Sequence, residues 1–325
     1  MQSQLDACLF MKKNMICLVY VDDTILASPD SKTIERKITG LGVSTHEQRH
    51  QFQLRDEGKI EKLGPRKFSL TQRGLINKAL KASDIENHNS VETPAFITEL
   101  SEVTKKVPRL MNHGNMQLLL ECSCISQASN SRPDISFAVH QCARFTHAPQ
   151  HSQAIAVKRI LRYLQGTKEK GLILEPISDL QVDCDVDVNF AGLWNSENDQ
   201  DPICVKSRTG FLIMNMGCPL TWVSKLQNQI ALSTMESENI ALSQSMRELI
   251  GICEVIKEIQ TFDVSGKIRT PAFRTFSKAF VLDPIASSKV YEDNEACLKF
   301  ATMPKMSPQT KHIALPHHFF WTKVI

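Results

Sequence analysis

No stretch of this chain is apolar for long enough to cross a bilayer, which takes about 20 residues in a helix, so no membrane role is expected. The opening "MQSQLDACLF" lacks the basic-then-apolar layout of a secretory signal. A cytoplasmic or nuclear location is therefore expected. The chain also lacks zinc-finger spacing: its 10 Cys are scattered, and only Cys122 and Cys124 come close together, with no second pair to complete a site. Reduced and mostly buried thiols are expected instead. Nor is there an internal repeat, a low-complexity tract or a strong charge of either sign. The net charge of +3 permits a polyanionic partner without requiring one. What is present is ordinary: 42% hydrophobic and 22% charged residues over 325 positions, enough for two or three domains with their own cores.

Near the start, "LVYVDDTILAS" places two adjacent acids, Asp22 and Asp23, between apolar and β-branched flanks. Residues Ile16 to Val21 and Thr24 to Leu26 read as two short strands with the acids at a hairpin tip. Two carboxylates about 5 Å apart repel by about 3 kcal/mol at an effective dielectric near 20. Water at an exposed turn relieves this, and Asp suits such turns. A divalent cation would relieve it too, since hard carboxylate oxygens hold magnesium.

Beyond the hairpin, residues 31–62 and 71–85 mix charged and apolar positions, as short helices do, with a strand around "KFSLTQ". The turn formers and proline of "NHNSVETPAF" predict a linker to about Val107, and helical sequence resumes near Met111. In "SRPDISFAVHQCARF", Pro133 suits the first helical position and Asp134 the first turn. The next helix buries Val157, Ile160, Leu161 and Leu164 and turns Lys158, Arg159 and Arg162 outward, with Gly166 as its stop. Those bases, together with Lys225 further on, are candidates to follow a phosphate backbone. A solvated helix face is the commoner explanation for such a cluster on a helix.

From Leu180 the period changes to two. Leu180, Val182, Cys184, Val186 and Val188 share one face; Asp183, Asp185, Asp187 and Asn189 share the other. "TGFLIMNMG" and "PLTWVSKLQ" continue a meander, with Gly217 near the turn. Ser233 and Glu236 form a capping box opening a long helix, and "KVYEDNEACLKFA" reads as a strand ending at Asp293 and leading into a helix, a βα arrangement. Taken singly, the acids have plain explanations: a wet strand face, a helix N-terminus for Glu238, a cap for Asp293. Taken together they sit on three elements that an α/β sheet brings to one end, where paired Mg²⁺ ions could serve phosphodiester cleavage.

In order, "VDVNFAGLW", "KSRTGFLI", "PLTWVSKLQ", "ALSTMESENIALS", "VYEDNEA" and "QTKHIALPHHFF" resemble the ribonuclease H domain that closes the polyprotein of copia-type LTR retrotransposons. "SRPDISFAVHQCARF" and "ILRYLQGTKEKGL" are similar to its connection segment, and "YVDD" to its reverse-transcriptase metal hairpin. The resemblance covers nearly the whole chain. It implies an α/β chain: a ribonuclease H-like mixed sheet with flanking helices over 178–325, preceded by a partial reverse transcriptase (palm hairpin and thumb) over 1–107 and a helical connection over 108–177. It implies that Asp187, Glu238 and Asp293 are the metal-binding catalytic acids, with Glu236 a neighbour, and that Asp22 and Asp23 are two of three polymerase carboxylates. The cofactor implied is Mg²⁺ or Mn²⁺, and the substrate is the RNA strand of an RNA/DNA hybrid. A virus-like particle becomes a further possible location, and the upstream reverse-transcriptase portion a further partner.

There are departures. The third polymerase acid and the fingers belong upstream of Met1, so polymerisation by this chain alone is not expected. The chain is shortened between Leu63 and Phe68, and "NHGNMQLLLECSCISQ" matches the family poorly. Asn189 stands where a second Asp is common, Asn239 where Tyr is, and Ala314 where many relatives carry a fourth acid, whose loss would weaken a second metal most. His312, His317 and His318 could assist proton transfer or be ordinary structural histidines. Two rival readings stay open: a non-catalytic nucleic-acid binder or decayed remnant, and a protein-interaction module on the same scaffold.

Overall fold

The computed structural model describes residues 2–12, 15–20, 23–28, 31–40, 51–53, 58–95, 125–144, 151–177, 181–192, 194, 203–261 and 287–301. They form a mixed α/β chain with three small sheets. The first sheet holds β1 (Leu9–Lys12), β2 (Met15–Tyr20) and β3 (Asp23–Ala27), all antiparallel. Strands β2 and β3 pair antiparallel as expected, but Asp23 belongs to β3, opposite Tyr20, rather than to the tip, and Asp22 lies outside the described residues. Helix α1 (Ser31–Gly40) follows.

The second sheet runs β4 (Gln51–Gln53), β5 (Lys59–Lys62), β6 (Phe68–Thr71) and β7 (Leu172–Leu174), again antiparallel. Strand β7 lies within the stretch expected to be purely helical. It reaches β6 because Gly171 has no side chain: a Cβ there would stand 2.1 Å from the Leu70 carbonyl oxygen. The helices of this part of the chain are α2 (Arg73–Ala82), α3 (Ile125–Asn130), a 3₁₀ turn at Pro133–Ile135, α4 (Ser136–Ala143) and α5 (His151–Gly166), packed on one another. One apolar core combines Ile76, Leu80 and Ile85 with Ile135, Val139, Val157, Ile160, Leu161 and Leu164. It thus draws residues from both sides of position 107. The inward set expected for α5 is buried throughout, at 0–1% exposure.

Beside this core, Arg132 is 2% exposed, a cost that only full pairing offsets. Its guanidinium donates to both carboxylate oxygens of Asp134 (3.0 and 2.8 Å) and to the carbonyl and hydroxyl oxygens of Thr167 (3.1 and 2.7 Å). The Tyr163 hydroxyl donates to Asp134 at 2.7 Å. Burial alone would raise the Asp134 carboxyl, but these donors hold it below its ordinary value.

The third sheet has the order β10–β9–β8–β11: β8 (Gln181–Asn189), β9 (Arg208–Asn215), β10 (Cys218–Leu226) and β11 (Ser287–Tyr291). Strands β8, β9 and β10 form the expected antiparallel meander, and β11 pairs parallel with β8. The β9–β10 turn uses Met216 at φ 52° and Gly217 at φ 80°, the pair of left-handed residues that a two-residue hairpin demands. Helix α6 (Thr234–Thr261) packs on β8 and β9, and helix α7 (Glu295–Ala301) packs against α6. Val182, Cys184, Val186, Ile213, Leu242, Met246, Leu249 and Cys297 form its core, in the alternation expected for β8. Burial pushes the Cys184 thiol up to about 12. Helices α3 and α4 meet β9 and β10: Trp222 Nε1 donates to the Ala128 carbonyl at 2.5 Å, and the Arg208 guanidinium stands 5.0 Å from the Phe137 ring centroid.

Among the described residues every cysteine is free, and no helix is long and apolar enough to cross a membrane.

Candidate metal centre

Three elements of the third sheet end near one another, and each carries an acid there. Asp187 lies in the second half of β8, on the face opposite the buried Val186, and pairs with Gly210 of β9. Glu238 lies in the second turn of α6. That helix begins as its capping box dictates: the Glu236 N–H donates to Ser233 Oγ at 3.2 Å, while the Glu236 carboxylate accepts the Leu232 N–H at 2.7 Å. Asp293 stands two residues past β11. The cap of α7 falls to Asn294, whose Oδ1 accepts the Cys297 N–H at 3.0 Å, so Asp293 does not serve as the cap.

The three carboxylates offer one oxygen each, and these lie within 4.8 Å of one another. Ligands of one magnesium ion, at about 2 Å from it, sit about 3–4 Å apart, so small side-chain rotations would close the set. Asp187 and Asp293 are exposed, whereas Glu238 is 6% exposed. Its Oε2 has no hydrogen-bond partner. A buried carboxylate oxygen without a donor is costly and is the kind of atom that a cation satisfies. Burial, and then the charges of Glu292, Asp187 and Asp293, push the Glu238 carboxyl up to about 8. The donor set, all hard oxygen, fits Mg²⁺ or Mn²⁺.

Glu292 escaped the reading of the sequence. Its carboxyl rises to about 7, through burial and the neighbouring Asp293 and Asp187, against the opposing Asn294 N–H that it accepts at 3.1 Å. Its Oε2 is buried without a partner. The signal was period two: Ser288 and Val290 are buried on β11, and Glu292 continues that inward face. Together with Glu238 it also raises the thiol of Cys297, after burial.

The other expected site residues are placed as follows. Asp23 opens β3. Asp22, Ala314, His312, His317 and His318 lie outside the described residues. Lys158 is half-buried on α5. Arg159 donates to Thr93 O (3.1 Å), Ala95 O (3.2 Å) and Thr93 Oγ1 (2.7 Å), and Arg162 to Asn89 O (2.5 Å). These bonds tie the first part of the expected linker to α5. Lys225 is exposed on β10. With burial first and Arg208 second, it lowers the His140 imidazole. Asn189 is exposed at the end of β8, and Asn239 is fully buried with neither amide atom bonded.

Over nearly its whole length the chain is similar in sequence to retrovirus-related Pol polyproteins of transposons. It is 27% identical over 323 residues to the Pol polyprotein from transposon RE1 of Arabidopsis thaliana, covering 96% of this chain and 19% of that protein. To the polyprotein from transposon TNT 1-94 of Nicotiana tabacum it is 27% identical over 336 residues, 97% of this chain and 22% of the other. A putative transposon Ty5-1 protein of Saccharomyces cerevisiae matches 71% of the chain and 72% of its own length at 27% identity. The chain thus spans about a fifth of the plant polyproteins it matches. No protein-family model and no solved structure matches it.

Proposed function

We propose that this retrotransposon Pol segment carries a copia-type ribonuclease H-like unit over residues 178–325 that hydrolyses the RNA strand of RNA/DNA hybrids. The observation that carries the proposal is the convergence of Asp187, Glu238 and Asp293 from three elements to within 4.8 Å. The mixed sheet with α6 packed on it supports the ribonuclease H-like reading of the fold. Asp187, Glu238 and Asp293 would hold Mg²⁺ or Mn²⁺, and a bound ion would activate water and stabilise the leaving oxygen of the phosphodiester. The chain's own contribution is positional. Strand β8 fixes Asp187, the capped start of α6 fixes Glu238, and the burial of Glu238 excludes water from one side of the cluster.

Recognition would rest on duplex shape, 2′-hydroxyls and phosphates rather than base sequence. Lys158, Arg159, Arg162 and Lys225 are proposed as phosphate-facing charges. The two arginines would act chiefly through charge, because the Nε of each already serves a carbonyl of the 89–95 segment. Asp22 and Asp23 are proposed as metal-binding acids of a polymerase-like hairpin, and no polymerisation is assigned to this chain.

A second reading, a remnant that binds nucleic acid without turnover, is favoured by one feature. Asn239, directly beside Glu238, buries an amide with no partner for either atom, which a maintained site would not be expected to keep. Purified chain incubated with a labelled RNA/DNA hybrid in Mg²⁺ or Mn²⁺ separates the two. Cleavage abolished by Asp187→Asn is expected. Absence of cleavage with both metals, or its survival in Asp187→Asn, would overturn the proposal, and salt-dependent hybrid binding without product would establish the second reading.

A further inference from the structure

Gln227 lies just past β10, at 2% exposure, and its amide bridges β9, the neighbour of the strand that carries Asp187, and α6, the helix that carries Glu238. Nε2 donates to Thr209 Oγ1 at 3.1 Å and to the Ser237 carbonyl at 2.9 Å. Since a carbonyl can only accept, the amide nitrogen must be the atom that faces Ser237. Ser237 directly precedes Glu238 on α6. Thr209 pairs with Val188, the neighbour of Asp187 on β8. The backbone N–H of Gln227 also donates to the Ser207 carbonyl at 2.9 Å, and Ser207 Oγ accepts the N–H of Ala191, just past β8, at 3.2 Å. Thr209, Ser207 and Ser237 are each fully buried.

A polar group placed in such a setting costs free energy unless it is bonded, and here only the nitrogen side of the amide is, Oε1 being buried without a partner. An apolar residue would fill the same space without that cost, so packing alone does not account for a glutamine. What the amide supplies is direction. It fixes the first turns of α6 against the end of the β8–β9 ladder, and so fixes the Glu238 carboxylate relative to Asp187.

We infer that Gln227 is a positioning residue of the acidic centre, setting the separation of Glu238 from Asp187 through Ser237 and Thr209. The inference rests on the reading of Asp187, Glu238 and Asp293 as a metal centre. Groups that orient ligands in this way change metal affinity by about 10- to 100-fold when removed.

The test is Mn²⁺ binding to the full chain, followed by calorimetry and by the electron-spin signal of free Mn²⁺. Wild type, Asp187→Asn, Gln227→Met, Thr209→Val and Gln72→Met are compared. Gln72→Met is the control: Gln72 is a buried amide of the other core, 3% exposed, accepting from Ser131 Oγ at 2.5 Å. Its loss should lower stability without touching Mn²⁺ affinity. Gln227→Met should weaken Mn²⁺ by about tenfold or more, and Thr209→Val, which removes one end of the link, by a smaller factor. Unchanged affinity in Gln227→Met, or an equal loss in Gln72→Met, overturns the inference. Should Gln227→Met not fold, Thr209→Val decides alone, with unchanged affinity counting against the link. If wild type shows no Mn²⁺ site that Asp187→Asn removes, the metal-centre reading itself has failed.

Discussion

Glu238 couples the stability of the third sheet to pH. In the absence of metal its carboxyl is raised from 4.5 to about 8, so between those values the folded chain holds a proton that the unfolded chain has released. Stability therefore falls as pH rises through that window. Each tenfold in proton affinity is worth about 1.4 kcal/mol, which puts the loss on the order of 5 kcal/mol at most for a group only 6% exposed. Glu292, raised to about 7, adds to the slope in the same direction. Urea unfolding in EDTA at pH 5 and pH 8 should show wild type losing about 2–5 kcal/mol, and Glu238→Gln, uncharged at both values, losing clearly less. Excess Mg²⁺ should restore the wild type at pH 8, by about 2.7 kcal/mol at a hundredfold excess over Kd, and restore Glu238→Gln less. A wild type equally stable at both pH values in EDTA, or an undiminished slope in Glu238→Gln, would falsify the account of this buried acid.

Three further outcomes are expected. Asn239→Leu replaces an amide that has no partner for either atom with an apolar side chain of similar shape, and should raise stability by about 1–3 kcal/mol in urea; a loss would mean that the amide has a partner in solution. Arg132→Met strips Asp134 and Thr167 of their shared donor and Tyr163 of the cation over its ring and should cost about 3 kcal/mol at neutral pH. Because Asp134 is held below its ordinary 3.8, the ion pair contributes above that pH and its contribution fades as pH falls. The gap between variant and wild type should therefore narrow in acid, and a gap that widens would contradict the pairing. Gly171→Ala drives a methyl into the Leu70 carbonyl oxygen, 2.1 Å away, and should cost about 1–3 kcal/mol. Amide exchange at Leu172 and Ile173 should quicken, whereas unchanged protection would mean that β7 does not depend on this close approach.

What the sequence discloses and what it conceals divide along one physical line. The inward face of β8, the β9–β10 turn at Gly217, the Ser233–Glu236 box and the buried stripe of α5 all depend on residues within one or two turns of each other, so their periodicity states them outright. Strand β7 could not be read in this way: three apolar residues are too few to carry a period, and what makes them a strand is β6, about a hundred residues earlier in the chain. Arg159 and Arg162 do point away from the core, as their spacing requires. But a direction away from one helix is not a direction into water, and the carbonyls of the 89–95 segment arrive there to accept their hydrogen bonds. Arg132 makes the converse case. A charged residue is expected outside until Asp134, Tyr163 and Thr167, from a turn and the end of α5, are brought around it. The acidic centre lies between these extremes. Asp187, Glu238 and Asp293 each have a sufficient local explanation, and periodicity alone could not choose the metal over three separate ones. Their order along a recognisable series of motifs made the choice, and Glu292 was missed because it belongs to no motif and only to the alternation of β11. A buried oxygen on Glu238 without a donor is where the local and the long-range accounts meet: α6 alone explains the position of the acid, and only the approach of β8 and the segment after β11 brings Asp187 and Asp293 within 4.8 Å of it.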